Sequence, residues 1–163
     1  MPLHVTLRMA PHVYNLRSRR SFQVIAQALR GGADRFEVRV VKFSVQGNHI
    51  HMLVEAPSRV ALGRAQKGLS VRLAKGLNRL MGRSGRVLYD RYHAHLLRTP
   101  TEVRHAMTYI RDNAKKHACA RGEAYSAGYV DPYSSESRAF DFDLPGAQTW
   151  LVRKGWRLGA GSS

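Results

Sequence analysis

The strongest constraint on the fold is a pair of strand-like runs separated by a two-residue turn signal. Residues 36–45 are rich in Val and Phe, and residues 49–56 form a second apolar run that Pro57 ends. Gly47-Asn48 stands between them and predicts a β-hairpin, with Gly in the first position that a type II′ turn favours. The chain is therefore expected to build an antiparallel sheet around this hairpin.

The remaining segments supply further strands and two helices. Residues 2–9 alternate between apolar and polar side chains, which is typical of a half-buried strand, and residues 87–97 can extend as another strand. Residues 21–30 and 59–81 carry apolar side chains at helical spacing. The order strand, helix, strand, strand, helix, strand predicts an α+β, ferredoxin-like (split βαβ) antiparallel sheet with helices on one face.

A last helix is predicted over residues 100–117. Thr99 and Glu102 have the spacing of a capping box, with Pro100 at the first helical position. This helix is additional to the ferredoxin-like pattern and can pack elsewhere. We expect residues 1–120 to form one domain and residues 121–163 to form an irregular tail that packs on it.

The charge distribution points to a polyanionic partner. The net charge is +16 and the pI is about 11.0. Residues 1–120 contain 22 Lys/Arg and 6 Asp/Glu, whereas residues 121–163 contain 5 of each. A domain this basic usually binds nucleic acid, and the alternative is a ribosomal-type or merely basic soluble protein.

Cysteine content and the lack of long apolar runs also indicate the cellular compartment in which the protein is expected. Cys119 is the only cysteine, so an intrachain disulfide is excluded. No apolar run approaches the length of a membrane span, and the N-terminus lacks the apolar core of a signal peptide. We expect a cytoplasmic protein without a membrane partner.

The first candidate for chemistry is the histidine pair after the turn. Residues i and i+2 of a strand point the same way, so His49 and His51 should project together. Two neutral imidazoles at that spacing can share a divalent metal ion, but a third ligand must come from another element. The alternative is a pair of surface histidines on an exposed sheet face.

The second candidate lies on the last predicted helix. Tyr109 and Asn113 are one turn apart, within a stripe that also contains His105 and Lys116. In the functional interpretation Asn113 is the third metal ligand, Tyr109 is a nucleophile and Lys116 contacts a phosphate. In the structural interpretation Tyr109 packs on an amphipathic face and Asn113 is solvated.

Several ordered blocks together give the sequence a family resemblance. The chain resembles the single-tyrosine HUH transposases, and most closely the REP-associated tyrosine transposases of bacteria. The resemblance covers roughly residues 2–118. The matching blocks are His4-Val-Thr-Leu-Arg8, Phe43-Ser-Val-Gln-Gly-Asn-His-Ile-His51, Asp90-Arg-Tyr-His93, Leu97-Arg-Thr-Pro100 and Tyr109-Ile-Arg-Asp-Asn113.

The resemblance implies an activity and its residues. It implies an active site on the open face of a ferredoxin-like sheet, with Tyr109 as the catalytic tyrosine and His49, His51 and Asn113 as ligands of Mg²⁺ or Mn²⁺. The family cuts single-stranded DNA beside hairpins formed by repetitive extragenic palindromes (REP). A 5′-phosphotyrosine intermediate is expected, with single-stranded or hairpin DNA as partner and a monomer or homodimer as the assembly.

Basic side chains are expected to hold the DNA, mainly by charge. Such contacts would make affinity fall with added salt, whereas solvated helix faces are the alternative interpretation. The candidates are Arg17, Arg19 and Arg20 at the first helix, Arg64, Arg72, Lys75 and Arg79 along the second, and Lys116 on the last.

Two other functions share parts of this pattern. A catalytically inactive hairpin DNA- or RNA-binding protein of ferredoxin-like fold would keep the basic surface. An RNA-recognition sheet favours exposed aromatic residues where this chain has His49-Ile50-His51. A replication initiator or relaxase would use the same chemistry, but the chain is short and has no helicase-like extension.

Overall fold

The computed structural model describes residues 1–122, 128–137 and 143–160. Ten elements occur in this part of the chain. They are β1 (Pro2–Arg8), α1 (Arg19–Gly32), β2 (Asp34–Arg35), β3 (Val38–Val45), β4 (His49–Glu55), α2 (Arg59–Met81), β5 (His93–Leu96), α3 (Pro100–Ala120), α4 (Trp150–Arg153) and a 3₁₀ helix (Gly155–Ala160).

The strands form one antiparallel sheet in the order β2-β3-β4-β1-β5. β1 is an interior strand between β4 and β5. After β1 the chain passes through α1, builds the β3–β4 hairpin on one side of β1 and returns through α2 to the other side. This is the split βαβ arrangement. The predicted α+β, ferredoxin-like fold is confirmed.

The main core lies between the sheet and the pair α1 and α2. Alternate strand residues such as Val5 and Met52 face Ile25 of α1 and Leu73 of α2, and all four are almost completely buried. Each buried aliphatic side chain of this size contributes about 1.5–3 kcal/mol of transfer free energy. The period-two and period-3.6 apolar patterns therefore place both helices on one sheet face.

The additional helix α3 packs on the opposite sheet face. Val103, Ala106 and Ile110 form a second apolar cluster with Leu53 of β4 and Val152 of α4. The capping box is present, because Thr99 Oγ1 accepts a hydrogen bond from the N–H of Glu102 and a Glu102 carboxylate oxygen accepts one from the N–H of Thr99. The sequence pattern left this helix free to pack elsewhere, and it lies on the sheet face opposite α1 and α2.

Helix α1 is longer than predicted at both ends. It begins at Arg19 because the Ser18 side chain caps it by accepting from the N–H of Ser21. It continues two residues past the predicted end, through Gly31-Gly32, and is capped by Ala33, whose N–H donates to the carbonyl of Leu29.

The hairpin loop is the predicted Gly47-Asn48, closed by a hydrogen bond from Gln46 N to His49 O of 2.7 Å. The predicted type II′ geometry is wrong, because Gly47 lacks the positive φ that the first loop position requires. Both loop carbonyls accept hydrogen bonds from the segment after β1, at Met9 and Leu16. These tertiary hydrogen bonds give a physical reason for a different turn.

Two predicted strands are shorter than expected. The run 36–45 is interrupted, because Phe36 and Glu37 form a tight turn between β2 and β3 with φ values of 56° and 60°. Of the run 87–97, only His93–Leu96 pairs as a strand with β1, while Leu88 makes a single bridge to Met9.

The C-terminal segment packs on the domain at two places. Residues 128–137 pass along the β3 edge, where Ser134 bridges Ser44. Further on, the carboxylate of Glu55 accepts hydrogen bonds from the backbone N–H groups of Gln148 and Thr149 at the start of α4. None of the helices in the described residues is long and apolar enough to cross a membrane.

Candidate active site

The sheet places four polar side chains side by side beneath α3. In the register of β1 and β4, Thr6 is opposite His51, and His4 lies two residues before Thr6 on the same face. The rings of His49 and His51 are stacked, with centroids 6.1 Å apart and planes at 9°. The predicted common projection of the two histidines is observed.

Helix α3 brings Tyr109 onto this cluster. Its ring meets the ring of His51 edge-on, with centroids 5.1 Å apart and planes at 85°, and lies 5.6 Å from the ring of His4. Tyr109 remains 39% exposed, so solvent and a ligand can reach it. The phenol of Tyr109 on α3 and the imidazole of His51 on β4 are therefore in contact.

Asn113 is one helical turn beyond Tyr109 and lines the same cavity. The residue is 2% exposed, and its buried Nδ2 makes no hydrogen bond within the described part of the chain. The cavity has a volume of about 780 Å³. Its walls are formed by Thr6, Asn15, Arg17, Gln46, Gly47, Asn48, His49, His51, Tyr109, Asn113, Ala114 and Arg121.

Each histidine of the pair has a polar neighbour at Nδ1. The Nδ1 atom of His51 is 3.3 Å from both His4 Nε2 and Thr6 Oγ1, and Nδ1 of His49 contacts Oδ1 of its neighbour Asn48. A polar partner at one ring nitrogen orients a ligating histidine and assigns coordination to the other. Nε2 is therefore the atom of each ring that suits a metal.

Local electrostatics favour the neutral imidazoles that metal binding requires. Burial lowers the pKa of His49, and the nearby Arg8 cation lowers it further, against a smaller opposing effect of Asp90. Burial also lowers the pKa of His4, with an added contribution from His95. At neutral pH the His49 ring therefore offers a metal a lone pair instead of a positive charge.

The donor set fits a metal with some positions left for a ligand. Two imidazole nitrogens and one amide oxygen would coordinate the ion, and a rotated Asn113 amide presents oxygen where Nδ2 now lies. No group of three His, Cys, Asp or Glu side chains suited to a metal occurs in the residues that the structure describes. A site here would therefore depend on the amide of Asn113.

Some of the predicted DNA-binding residues lie near the cavity. Arg17 is at its rim, where its guanidinium pairs with both carboxylate oxygens of Asp131 at 3.0 Å and donates to the carbonyl of Val45. Lys116 is exposed in a groove next to Tyr109 and Asn113. Through its ion pair with Asp131, Arg17 therefore also connects the C-terminal segment to the rim of the cavity.

The other predicted DNA-binding residues are exposed on α1 and α2. Arg19 and Arg20 lie in the first turn of α1. The α2 residues lie in the layer on the other side of the sheet from the cavity, and they are Arg64, Arg72, Lys75 and Arg79. A nucleotide bound in the cavity could not contact the α2 side chains.

Sequence reasoning missed two residues beside the histidine pair. His4 and Thr6 reach His51 only because β1 pairs with β4. The alternation of residues 2–9 already placed both on the polar face of a strand. The missing information was the strand order, which the pattern of a single strand does not contain.

Comparison with known proteins supplies the family. The sequence model of the IS200-like transposases matches residues 4–113. No curated protein matches the chain.

Two solved structures have the same fold. A REP-associated tyrosine transposase bound to a REP hairpin has a TM-score of 0.62 and 16% identity, covering 91% of this chain and 88% of its own. A candidate transposase from Deinococcus radiodurans R1 has a TM-score of 0.50 and 13% identity, covering 77% and 92%. The family match spans more than half of the sequence, and the chain belongs to the IS200-like transposase family.

Proposed function

We propose that this protein is a metal-dependent single-stranded DNA endonuclease and transposase that cleaves and rejoins DNA near hairpins through a 5′-phosphotyrosine. The proposal rests on the contact between the rings of Tyr109 and His51, whose centroids are 5.1 Å apart. The cavity that these two residues line is also lined by His49 and Asn113. A nucleophile beside a set of metal-ligand types is what phosphoryl transfer to a tyrosine requires.

The covalent step uses the phenol of Tyr109. Its Oη attacks the scissile phosphorus, an O–P bond to Tyr109 forms, and the bond from phosphorus to the 3′ oxygen breaks. The phenol proton is lost and the leaving oxygen gains one, so the products are a 5′-phosphotyrosine and a 3′-hydroxyl. Attack by a 3′-hydroxyl on this link reverses the step, and rejoining needs no external energy source.

His49, His51 and Asn113 would hold a divalent ion, Mg²⁺ or Mn²⁺. When bound, the ion supplies Lewis-acid stabilisation of charge on the phosphate oxygens. The buried amide of Asn113 supports a ligand role, because Nδ2 has no hydrogen-bond partner within the described part of the chain to hold it in its present orientation. A rotation of the amide would place Oδ1 at that position, where a cation can accept it as a ligand.

His4 and Thr6 act as positioning residues for His51. Their contacts at 3.3 Å hold Nδ1 of that ring, so the imidazole is oriented with Nε2 as the coordinating atom. The His4 ring also lies 5.6 Å from the Tyr109 ring, so it packs beside both the proposed ligand His51 and the proposed nucleophile.

The DNA partner is proposed from the family and from the surface. The similar transposase structure is bound to a REP hairpin, which supports hairpin DNA of that kind as the ligand here. The exposed cations on the described surface, including Arg19, Arg20 and Lys116, would neutralise phosphates, and Arg17 would contribute at the rim of the cavity.

The test is covalent capture of DNA. Wild type is incubated with Mn²⁺ and a labelled single-stranded oligonucleotide that carries a hairpin and its 5′ flank, and the products are separated on a denaturing gel. Tyr109→Phe should lose the slow protein–DNA band and still shift the hairpin on a native gel. Tyr14→Phe, which alters another exposed tyrosine, serves as the matched control and should keep the band.

The outcomes also separate the two functional interpretations. A covalent band that persists in Tyr109→Phe would remove Tyr109 from the nucleophile role. If wild type shifts the hairpin on a native gel but forms no covalent band with Mg²⁺ or with Mn²⁺, the protein is better described as a catalytically inactive hairpin-binding protein.

A further inference from the structure

The turn between β2 and β3 carries an aromatic residue in an unfavourable backbone conformation. Phe36 and Glu37 both have positive φ, at 56° and 60°, and connect strands that pair through Asp34–Arg39 and Arg35–Val38. Such two-residue loops favour Asn-Gly, because Asn and Gly tolerate the left-handed region, in which bulky side chains are strained. A bulky residue kept at this position suggests that its side chain has a use.

Burial of the Phe36 ring in a hydrophobic core does not compensate for this backbone strain. The ring is 51% exposed and belongs to neither apolar cluster of the described residues. It instead lines a cleft of about 620 Å³ against the outer face of α2, next to Val71 and Gly68. We name this the Phe36 cleft.

The walls of the Phe36 cleft are strongly basic. Four of its lining residues are cationic and none is acidic, the cations being Arg64, Lys67, Arg72 and Lys75. The surrounding layer has the same character, because α1 and α2 together carry nine Lys/Arg and no Asp/Glu. The nearest acids in sequence, Asp34 and Glu37, flank Phe36 on the turn and do not line the cleft.

The end of α1 accommodates one of these cations closely. A Cβ on Gly31 would come within 2.7 Å of Arg72 Nη1, so the missing side chain of Gly31 makes room for the guanidinium. The carbonyl of Gly31 also accepts a hydrogen bond of 3.0 Å from Arg35 Nε. The Arg72 guanidinium thus lies against the end of α1, beside the cleft that it lines.

We propose that the Phe36 cleft is a second binding site for single-stranded DNA, where Phe36 stacks on an unpaired base and the four cations contact the flanking phosphates. An exposed aromatic face inside a basic groove is the arrangement that binds single strands with little sequence preference. The inference rests on the proposed function only in that both take single-stranded DNA as the ligand.

The position of the cleft gives it a role distinct from catalysis. The sheet separates the Phe36 cleft, on the α2 side, from the cavity of Tyr109, on the α3 side. One strand can occupy both only by passing around an edge of the sheet. The cleft therefore binds DNA away from the cleavage point, and cleavage of an oligonucleotide too short to reach it should not depend on Phe36.

The first test places a fluorescent reporter in the cleft. In Phe36→Trp, stacking on a base should quench the new indole when a single-stranded oligodeoxyadenylate of about 12 nucleotides is added. The wild type, with its two native tryptophans, gives the background. A titration without metal keeps the measurement independent of strand cleavage.

The second test separates binding from folding. Phe36→Ala should weaken anisotropy-measured affinity for the same oligonucleotide roughly tenfold, within the range for loss of one stacked base. Phe36→Gly should weaken the affinity as much as Phe36→Ala does. It should also raise the melting temperature, because glycine adopts a positive φ without strain. Trp150→Ala, an exposed aromatic change on the α3 side, should leave the affinity within about twofold of wild type.

Three results bear on the assignment of single-stranded DNA to the cleft. Unchanged affinity in Phe36→Ala, or no quenching in Phe36→Trp, would overturn the proposal. Polyglutamate that displaces the oligonucleotide and quenches the introduced indole equally well would also overturn it and would point to an acidic protein partner. If wild type forms no covalent adduct through Tyr109 but still binds the oligonucleotide at the Phe36 cleft, only the proposed cleavage chemistry is contradicted. Binding at the cleft needs neither the tyrosine nor the metal.

Discussion

The Nε2 atom of His4 lies 3.3 Å from the Nδ1 atom of His51, across two adjacent antiparallel strands. Thr6 Oγ1 lies at the same distance from the same nitrogen. Two polar neighbours therefore restrain one ring, and this ring is the one that contacts Tyr109. The orientation of the proposed ligand is built into the pairing of β1 with β4.

Replacement of His4 by alanine should weaken metal binding. Loss of a partner that orients a ligating histidine typically costs 10- to 100-fold in metal affinity, and we expect about tenfold because Thr6 remains. Calorimetric titration with Mn²⁺ measures this directly. His4→Gln, whose amide can restore a polar contact to Nδ1, should recover part of the affinity.

The control for this variant is His95→Ala. His95 is opposite His4 on β5 but is largely exposed, so its removal takes an imidazole from the same face without removing a contact to His51. Equal loss of affinity in both variants would mean that the effect is one of general charge or folding, and the positioning role of His4 would be wrong.

Asn113→Asp should bind Mn²⁺ more tightly and fold less well without it. A carboxylate is a stronger ligand for a hard cation than an amide, but at a position that is 2% exposed its charge is costly to bury. Differential scanning calorimetry should show a lower melting temperature than wild type in chelator and a larger upward shift on adding Mn²⁺. Asn113→Leu should show no metal-induced shift, and a shift equal to that of wild type would exclude Asn113 as a ligand.

The parts of the site that the sequence predicts are those governed by local periodicity. A strand turns every second residue to the same side, so the common projection of His49 and His51 follows from the assignment of a strand. A helix repeats near every fourth residue, so Tyr109 and Asn113 share a cavity once α3 is recognised. Both relationships require only the type of element.

The parts that the sequence does not predict depend on contacts between distant segments. Arg17 pairs with Asp131, 114 positions away, and no local pattern indicates that partner. The polar contacts of His4 require the strand order, and the separation of the α2 cations from the cavity requires knowledge of which helices share a sheet face. The Phe36 turn was missed for another reason, since a bulky residue at positive φ contradicts ordinary turn preferences.

Glu55 should make the stability of the fold depend on pH in the acid range. Burial alone raises the pKa of its carboxyl, but hydrogen bonds from Thr149, the N–H of Gln148 and Arg39 outweigh it and lower the pKa below the usual value of 4.5. The charged form is thus favoured in the folded state. Its stabilisation is complete above about pH 4.5 and is lost as the pH falls through the lower folded pKa.

Urea unfolding of Glu55→Gln tests this linkage. The variant should lose about 2 kcal/mol at neutral pH, as expected for charge-assisted hydrogen bonds at a buried group, and the difference from wild type should shrink towards about pH 3. Glu136→Gln, which removes an exposed ion pair with Lys42, should cost less than about 1 kcal/mol. A loss for Glu55→Gln that does not change with pH would contradict the assignment to the charged form.

Two glycines of α2 should respond in opposite directions to the same substitution. Alanine is favoured over glycine inside a helix by about 1 kcal/mol, and a Cβ on Gly68 would meet nothing within 4 Å, so Gly68→Ala should stabilise the protein. A Cβ on Gly76 would lie 2.6 Å from Cγ1 of Val24 on α1, a short branched side chain with little freedom to move. Gly76→Ala should therefore destabilise by about 1 kcal/mol, since overpacking outweighs helix propensity.

A double-mutant cycle identifies the cause of the Gly76 effect. Removal of the clashing methyl group in Val24→Ala should make Gly76→Ala neutral or stabilising, with a coupling free energy of about 1–2 kcal/mol from urea unfolding. Gly68→Ala should show no coupling to Val24→Ala, because its Cβ meets no neighbour within 4 Å. If Gly76→Ala stabilises the otherwise unchanged protein as much as Gly68→Ala does, then α1 and α2 do not approach as closely at this crossing as the contact between Gly76 and Val24 requires.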